Sequence, residues 1–130
     1  KVKVSEVVSG WSHILVKTDG GEVMSWGRAD YGQLGLGDDV VSQGYCYVPQ
    51  KIPHFKRPLQ VNCGSEHNVI LNCSKEAVCW GWNEHGVCGT GDEKNVHKPT
   101  VIPSLINKNV DMVACCGGTT FAVVSLNTLG

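Results

Sequence analysis

The stretch Trp26-Gly27-Arg28-Ala29-Asp30-Tyr31-Gly32-Gln33-Leu34-Gly35-Leu36-Gly37 decides the fold, because its framework occurs twice. Trp80-Gly81, Gly86, Gly89 and Gly91 repeat Trp26-Gly27, Gly32, Gly35 and Gly37 at a constant offset of 54 residues. Asp38 returns as Asp92, and upstream Gly10 and His13 return as Gly64 and His67, at the same offset. A fixed period of this size marks one supersecondary unit used repeatedly. Between Val7–Asp38 and Val61–Asp92, ten of 32 aligned positions are identical, and most of these are Gly, Trp, His or Asp. The apolar positions match in character: Leu15 stands opposite Val69, Val16 opposite Ile70, and Met24 opposite Val78. A third copy starts at Cys116-Gly117 and continues into Phe121–Val124, as Cys63-Gly64 continues into Asn68–Leu71.

Each unit reads as short strands. Ser12–Lys17 and Glu22–Trp26 are apolar and partly β-branched, and Thr18-Asp19-Gly20-Gly21 between them is a hairpin turn, since Asp-Gly and Gly-Gly tolerate positive φ. Asn68–Leu71 and Ala77–Trp80, joined through Asn72-Cys73-Ser74-Lys75, are the second pair. Further strands are expected at Val4–Val8, Pro58–Cys63 and Val110–Cys115, and near Val48–Ile52 and Thr100–Ile102. The first copy carries about four extra residues around Val40–Cys46, expected as a surface loop. No stretch keeps a helical period, and glycine at this density weakens helices. The expected class is all-β, with blades of a β-propeller. Residues 1–130 read as a single propeller segment: copies at about 4–57 and 58–109, and a partial copy at 110–130.

Composition excludes several functions. The formal net charge is −1, from 11 basic and 12 acidic side chains, so there is no basic footprint for nucleic acid. The densest basic stretch, Lys51, His54, Lys56 and Arg57 beside Pro53 and Pro58, reads as a solvated connection. No apolar run approaches the roughly 18 residues of a membrane-spanning helix. Seven cysteines, and opening residues Lys1–Val8 that carry charge in place of a long apolar core, point to a reducing compartment without a disulfide framework. The expected localisation is the cytoplasm, with the nucleus as a second compartment. Gly35-Leu36-Gly37-Asp38 lacks the lysine and spacing of a phosphate-binding loop, and no nucleophile elbow or Cys–His dyad stands out.

Gly-x-x-His, an apolar strand, a turn and then Trp-Gly-x-x-x-x-Gly-x-x-Gly-x-Gly together resemble the repeat of the regulator of chromosome condensation family. The resemblance covers nearly the whole chain. It implies a seven-bladed propeller, which at this repeat length needs roughly 380 residues. The 130 residues are then expected to be the C-terminal third of a longer protein or a short isoform, the alternative being that two or more chains complete a ring. Val87-Cys88 departs from the usual Gln-Leu of the motif and suggests a repacked blade. Ser9-Gly10-Trp11-Ser12-His13, Cys63-Gly64-Ser65-Glu66-His67 and Trp80–Gly86 are similar to strings in family members that regulate secretion as guanine nucleotide exchange factors. That implies a Ran-like small GTPase or secretion machinery as partner. The same strings resemble a fungal relative that partners proteins of diphthamide synthesis and the Elongator tRNA-modification complex, which implies a scaffold role as the alternative. Neither implies catalysis by covalent chemistry, a cofactor or a metal.

The repeat register sorts the remaining residues. Gly10, His13, Trp26, Gly27, Gly32, Gly35 and their counterparts Gly64, His67, Trp80, Gly81, Gly86 and Gly89 read as scaffold. The two histidines are expected to make a repeated hydrogen bond from a strand to a neighbouring loop, with Thr120 in the third copy. Cys63, Cys79, Cys88 and Cys116 fall on repeat positions and read as small buried apolar groups. Cys115-Cys116 is the nearest approach to a zinc pattern, and adjacent strand residues face opposite ways. Trp11, Arg28, Tyr31, Trp82, Glu84 and His85 differ between copies and include the types favoured as interface anchors, so they are the candidate partner-binding residues.

Overall fold

The computed structural model describes residues 1–126 of the 130. Residues 127–130, the end of the expected partial copy, lie outside the described residues. Strands β1 (Val4–Ser9), β2 (His13–Thr18), β3 (Val23–Arg28) and β4 (Tyr45–Lys51) form one antiparallel four-stranded meander. Strands β5 (Gln60–Cys63), β6 (His67–Leu71), β7 (Ala77–Gly81) and β8 (Val96–Val101) form a second. Strands β9 (Val110–Cys116) and β10 (Thr119–Val124) pair as a third sheet.

The sheets stack face to face, which explains the residue types of the middle one. Every position of β6 and β7 is buried. Successive strand side chains face opposite ways, so each strand feeds two cores. Ile70, Val78 and Trp80 enter a core with Leu15, Val23, Ile52 and Phe55 of the first copy. Val69, Leu71, Ala77 and Cys79 enter a second core with Val110 and Val113 of the third sheet. Full burial of a Val, Leu or Ile stabilises by about 1.5–3 kcal/mol, so each sheet depends on its neighbour.

Repeated glycines allow close backbone approach, Gly27 and Gly81 within their own sheets and Gly10 and Gly64 toward the next one. Gly27 and Gly81 have φ of 119° and 112°, and a Cβ would lie 2.5 Å from the Ser12 carbonyl oxygen in one and 2.6 Å from that of Glu66 in the other. Gly10 and Gly64 lie flat against the His13 and His67 rings, where a Cβ would overlap the imidazole. At Gly64 the Cβ would also stand 2.5 Å from the Gly117 oxygen. Gly64→Ala is therefore expected to lower stability by about 2–3 kcal/mol through overpacking, read as a lower thermal midpoint. Gly20→Ala, where the nearest atom is Thr18 Oγ1 at 3.7 Å, is expected to stay within about 0.5 kcal/mol of the parent.

Several expectations are corrected. Part of the Val40–Cys46 insertion is the helix α1 (Asp38–Gln43), with Asp38 and Asp39 in its first turn and Gly44 in the left-handed region at its end. Six residues are too few to display a helical period. Strands β4 and β8 begin earlier than expected, at Tyr45 and Val96; β4 is an outer strand with mostly exposed side chains, and β8 opens with His97 and Lys98 after a single apolar residue. Cys116 is exposed, not buried, because its face of β9 meets no further sheet; Cys63 is half-buried, while Cys79 and Cys88 are buried. Trp80 is fully buried, whereas Trp26 is half-exposed, since no sheet lies against its side of β3.

Candidate functional site: the loops after β3 and β7

The loops that follow β3 and β7 are built alike. Gly32 N–H donates to Ala29 and Gly35 N–H to Gly32; Gly86 N–H donates to Asn83 and Gly89 N–H to Gly86. Different buried side chains hold the two loops. In the first, the Gln33 carboxamide accepts from Tyr31 N–H at 2.8 Å and donates to Glu66 at 2.7 Å and Asp30 at 3.3 Å. In the second, Asn83 accepts from Cys88 N–H at 2.8 Å and donates to Thr90, Asp92 and Lys94.

The first loop is also the joint to the next sheet. The Gln33 carbonyl accepts from Asn68 Nδ2 at 2.7 Å and from Trp80 Nε1 at 3.1 Å. This fixes the Asn68 amide so that its oxygen must accept, from His13 Nε2 at 2.9 Å and from the Cys63 thiol at 3.1 Å. His13 therefore carries its proton on Nε2, and its buried Nδ1 has no partner. His67 Nε2 pairs with Thr120 Oγ1 at 2.8 Å, and its Nδ1 is likewise unpartnered. Each histidine thus reaches a strand side chain of the following sheet, not a loop as expected. Burial lowers the pKa of both rings, that of His67 to about 4, with His13 a second cause there. Neither is poised for acid–base work near neutral pH.

Sequence reasoning passed over Gln33, Glu66, Asn68 and Asn83, all buried polar groups. The available signal was the register itself: Glu66 stands opposite Ser12, Asn68 opposite Ile14, and Asn83 opposite Ala29. A polar residue at a position apolar or small in the other copy marks a site-specific bond.

The six candidate residues fall into three places on the loop side of the sheets. Arg28 makes a bidentate pair with Asp30, both contacts at 2.7 Å, and its guanidinium lies 4.9 Å from the centre of the Tyr31 ring. The Asp30 hydrogen bond holds the Arg28 charge firmly and pulls the carboxyl pKa down. Glu66 stands 3.9 Å from the same guanidinium. Trp82 and His85, the counterparts of Arg28 and Tyr31, meet edge to face at 5.2 Å, with Glu84 exposed beside them. Both loops therefore carry a contacting pair of one aromatic and one nitrogen-rich group at the same two positions, face-on in the first and edge-to-face in the second. Trp82 also approaches the third sheet at Gly118. Trp11 is 82% exposed, with its backbone N–H tied to the Ser65 carbonyl at 2.9 Å.

Three of the thiols, Cys63, Cys79 and Cys115, are held in the unreactive form. Burial raises the pKa of Cys63, and that of Cys115 to about 12; Cys79 is raised by its contact with Cys88 and by burial. They remain protonated, which is neither the nucleophilic nor the metal-binding form. Among the described residues no group of three or more His, Cys, Asp or Glu is placed to hold a metal.

Repeated antiparallel sheets stacked through a loop-to-strand joint define blades of a β-propeller, a binding architecture that offers its loops to partners. The sequence places these blades within one family. The chain belongs to the regulator of chromosome condensation (RCC1) repeat family: the repeat model matches residues 20–71 and 79–123, and a second model of the repeat matches 4–33 and 59–87. It is 39% identical over 140 aligned residues to the mouse secretion-regulating guanine nucleotide exchange factor, covering 95% of this chain and 30% of that protein. It is 38% identical over 116 residues to the Arabidopsis thaliana ultraviolet-B receptor UVR8, covering 88% of this chain and 26% of the receptor. The structure of Saccharomyces cerevisiae Prp20p, described with its binding to Gsp1p and histones, matches with a TM-score of 0.80 at 26% identity, over 95% of this chain and 31% of that one. The chain spans about 30% of the length of the mouse relative.

Proposed function

We propose that this chain forms part of a propeller that acts as a guanine nucleotide exchange factor on a Ran-like small GTPase, within secretion control. In this reading Trp11, Arg28, Tyr31, Trp82, Glu84 and His85 contribute to the protein-binding face. The observation that carries it is the 39% identity to the mouse exchange factor across 95% of this chain. The yeast relative, described with its binding to Gsp1p, supports a protein partner of this type. The site chemistry agrees with the reading. Exchange requires tighter binding of the nucleotide-free GTPase than of its loaded form, a difference in affinity that needs no nucleophile or metal. An exposed Trp, a fixed Arg and further aromatics on the same loops are the side chains that supply such affinity. None of the relatives named above supports the alternative as a partner of diphthamide-synthesis and Elongator proteins.

The test is the affinity of the full-length protein for Ran, nucleotide-free and GDP-loaded, by biolayer interferometry. The nucleotide-free form is expected to bind more tightly. The double variant Trp11→Ala, Trp82→Ala is expected to lose about 30-fold or more, the loss typical of a hot spot. Equal binding of both Ran forms would overturn the exchange reading. Unchanged affinity in a folded double variant would remove these two residues from the face.

A further inference from the structure

We propose that a cleft at the opposite end of β7 from Trp82 is a second docking site, for an acidic peptide segment that carries bulky apolar side chains. The cleft, about 620 Å³ in volume, lies between the end of β4, the connection at 53–56, the turn after β6, and β8. Its size falls within the range of ordinary ligand-binding clefts. Leu36, Phe55, Val78 and Val101 form an apolar floor, with Phe55 backed by Trp80 at 5.6 Å. Lys51, His54, Lys56 and Lys98 stand around this floor, and no carboxylate lines the cleft.

The charge is concentrated here against the overall balance, since the chain as a whole carries −1. Lys51 is neutralised by Glu22 at 2.9 Å. Lys56 and Lys98 have no ion pair among the described residues. An anion alone would satisfy these lysines but leave the floor open to water. A wholly apolar segment would cover the floor and leave the two cations facing it uncompensated. An acidic segment with Leu or Phe side chains satisfies both.

The backbone supports a preformed rim. Among the described residues, His54, Arg57 and Lys75 are three of the four non-glycine residues with positive φ; His54 lines the cleft and the other two adjoin it. Such conformations cost free energy and persist where the surroundings hold them, often at ligand-binding segments. The Asn72 side chain fixes the neighbouring turn by accepting from Ser74 and Glu76 N–H at 3.0 and 2.9 Å. Pro99 and Lys98 on β8 disfavour addition of a further strand, so the occupant is held through its side chains.

The probe is a fluorescein-labelled peptide, Asp-Asp-Leu-Glu-Phe-Asp-Leu, titrated with the protein by fluorescence anisotropy. Saturable binding is expected, weakened about tenfold or more by Lys56→Glu with Lys98→Glu, at an unchanged thermal midpoint. Both side chains are exposed, so the fold is expected to survive, and weakening of parent binding by added salt is a readout free of any variant. Equal affinity in the charge-reversed variant overturns the proposal. So does equal binding of the peptide with Ser in place of Leu and Phe, and so does failure of the peptide while phosphatidylserine vesicles bind through the same lysines.

Discussion

Replacement of Trp80 by alanine is expected to lower stability by about 3–5 kcal/mol, enough to unfold a marginal domain at ambient temperature. Trp80 is fully buried in the core between the first and second sheets. Its ring packs on Phe55, and its Nε1 supplies one of the two hydrogen bonds to the Gln33 carbonyl. Truncation opens a cavity and removes part of the joint at once. Trp80→Phe keeps most of the ring and is expected to lose roughly 1 kcal/mol for the missing hydrogen bond, plus a smaller packing term. Trp26→Ala, at the same repeat position but half-exposed, is expected to cost about 1–2 kcal/mol. Urea unfolding of the three variants separates these values. Equal losses at Trp26 and Trp80 would show that the joint contributes nothing at this position.

The second large effect is acid destabilisation through His67. Burial holds its folded pKa near 4, against about 6.5 in the unfolded chain. Between these values the unfolded chain binds the extra proton and the folded chain does not, so stability falls as pH drops through about 6.5 and levels off below about 4. The loss from this one group is roughly 2 kcal/mol at about pH 5. His13 adds in the same direction, because burial disfavours its charged form and its Nδ1 has no partner to take a second proton's hydrogen bond. The lowered Asp30 carboxyl contributes stability that is lost in a more acidic window, on protonation below the usual carboxylate range. Urea midpoints measured from about pH 7 down to about pH 5 are expected to fall in the parent protein. His67→Gln is expected to flatten most of that fall, while being less stable at neutral pH. A parent curve independent of pH over this window would contradict the buried neutral assignment.

The 54-residue register made the architecture legible because the blades reuse one backbone. Gly64, Gly81, His67 and Trp80 have physical roles in the structure: Gly64 lets the next sheet approach, Gly81 lets its strand pass the Glu66 carbonyl, His67 bridges to the next sheet and Trp80 to the loop of the preceding one. The joint was less legible. Its central acceptor is a main-chain carbonyl, that of Gln33, and no side-chain pattern announces a carbonyl. The partners Asn68 and Glu66 occur in one copy only, so a reading that favours recurrence passes over them. Exposure was also beyond reach. Trp11 and Trp82 are both off-register, yet one stands free while the other leans on His85 and the third sheet. The basic side chains of the connection at 51–57 are exposed, while Ile52 and Phe55 between them are buried in the core. That its lysines frame an apolar floor depends on Leu36 and Val101, distant in sequence.

The most direct test of the proposed activity is release of fluorescent GDP from Ran in the presence of the full-length protein. The parent is expected to accelerate release by at least about tenfold over the intrinsic rate, and the double variant Trp11→Ala, Trp82→Ala to lose most of that acceleration while keeping its thermal midpoint. Release at the intrinsic rate with saturating parent protein would contradict the account.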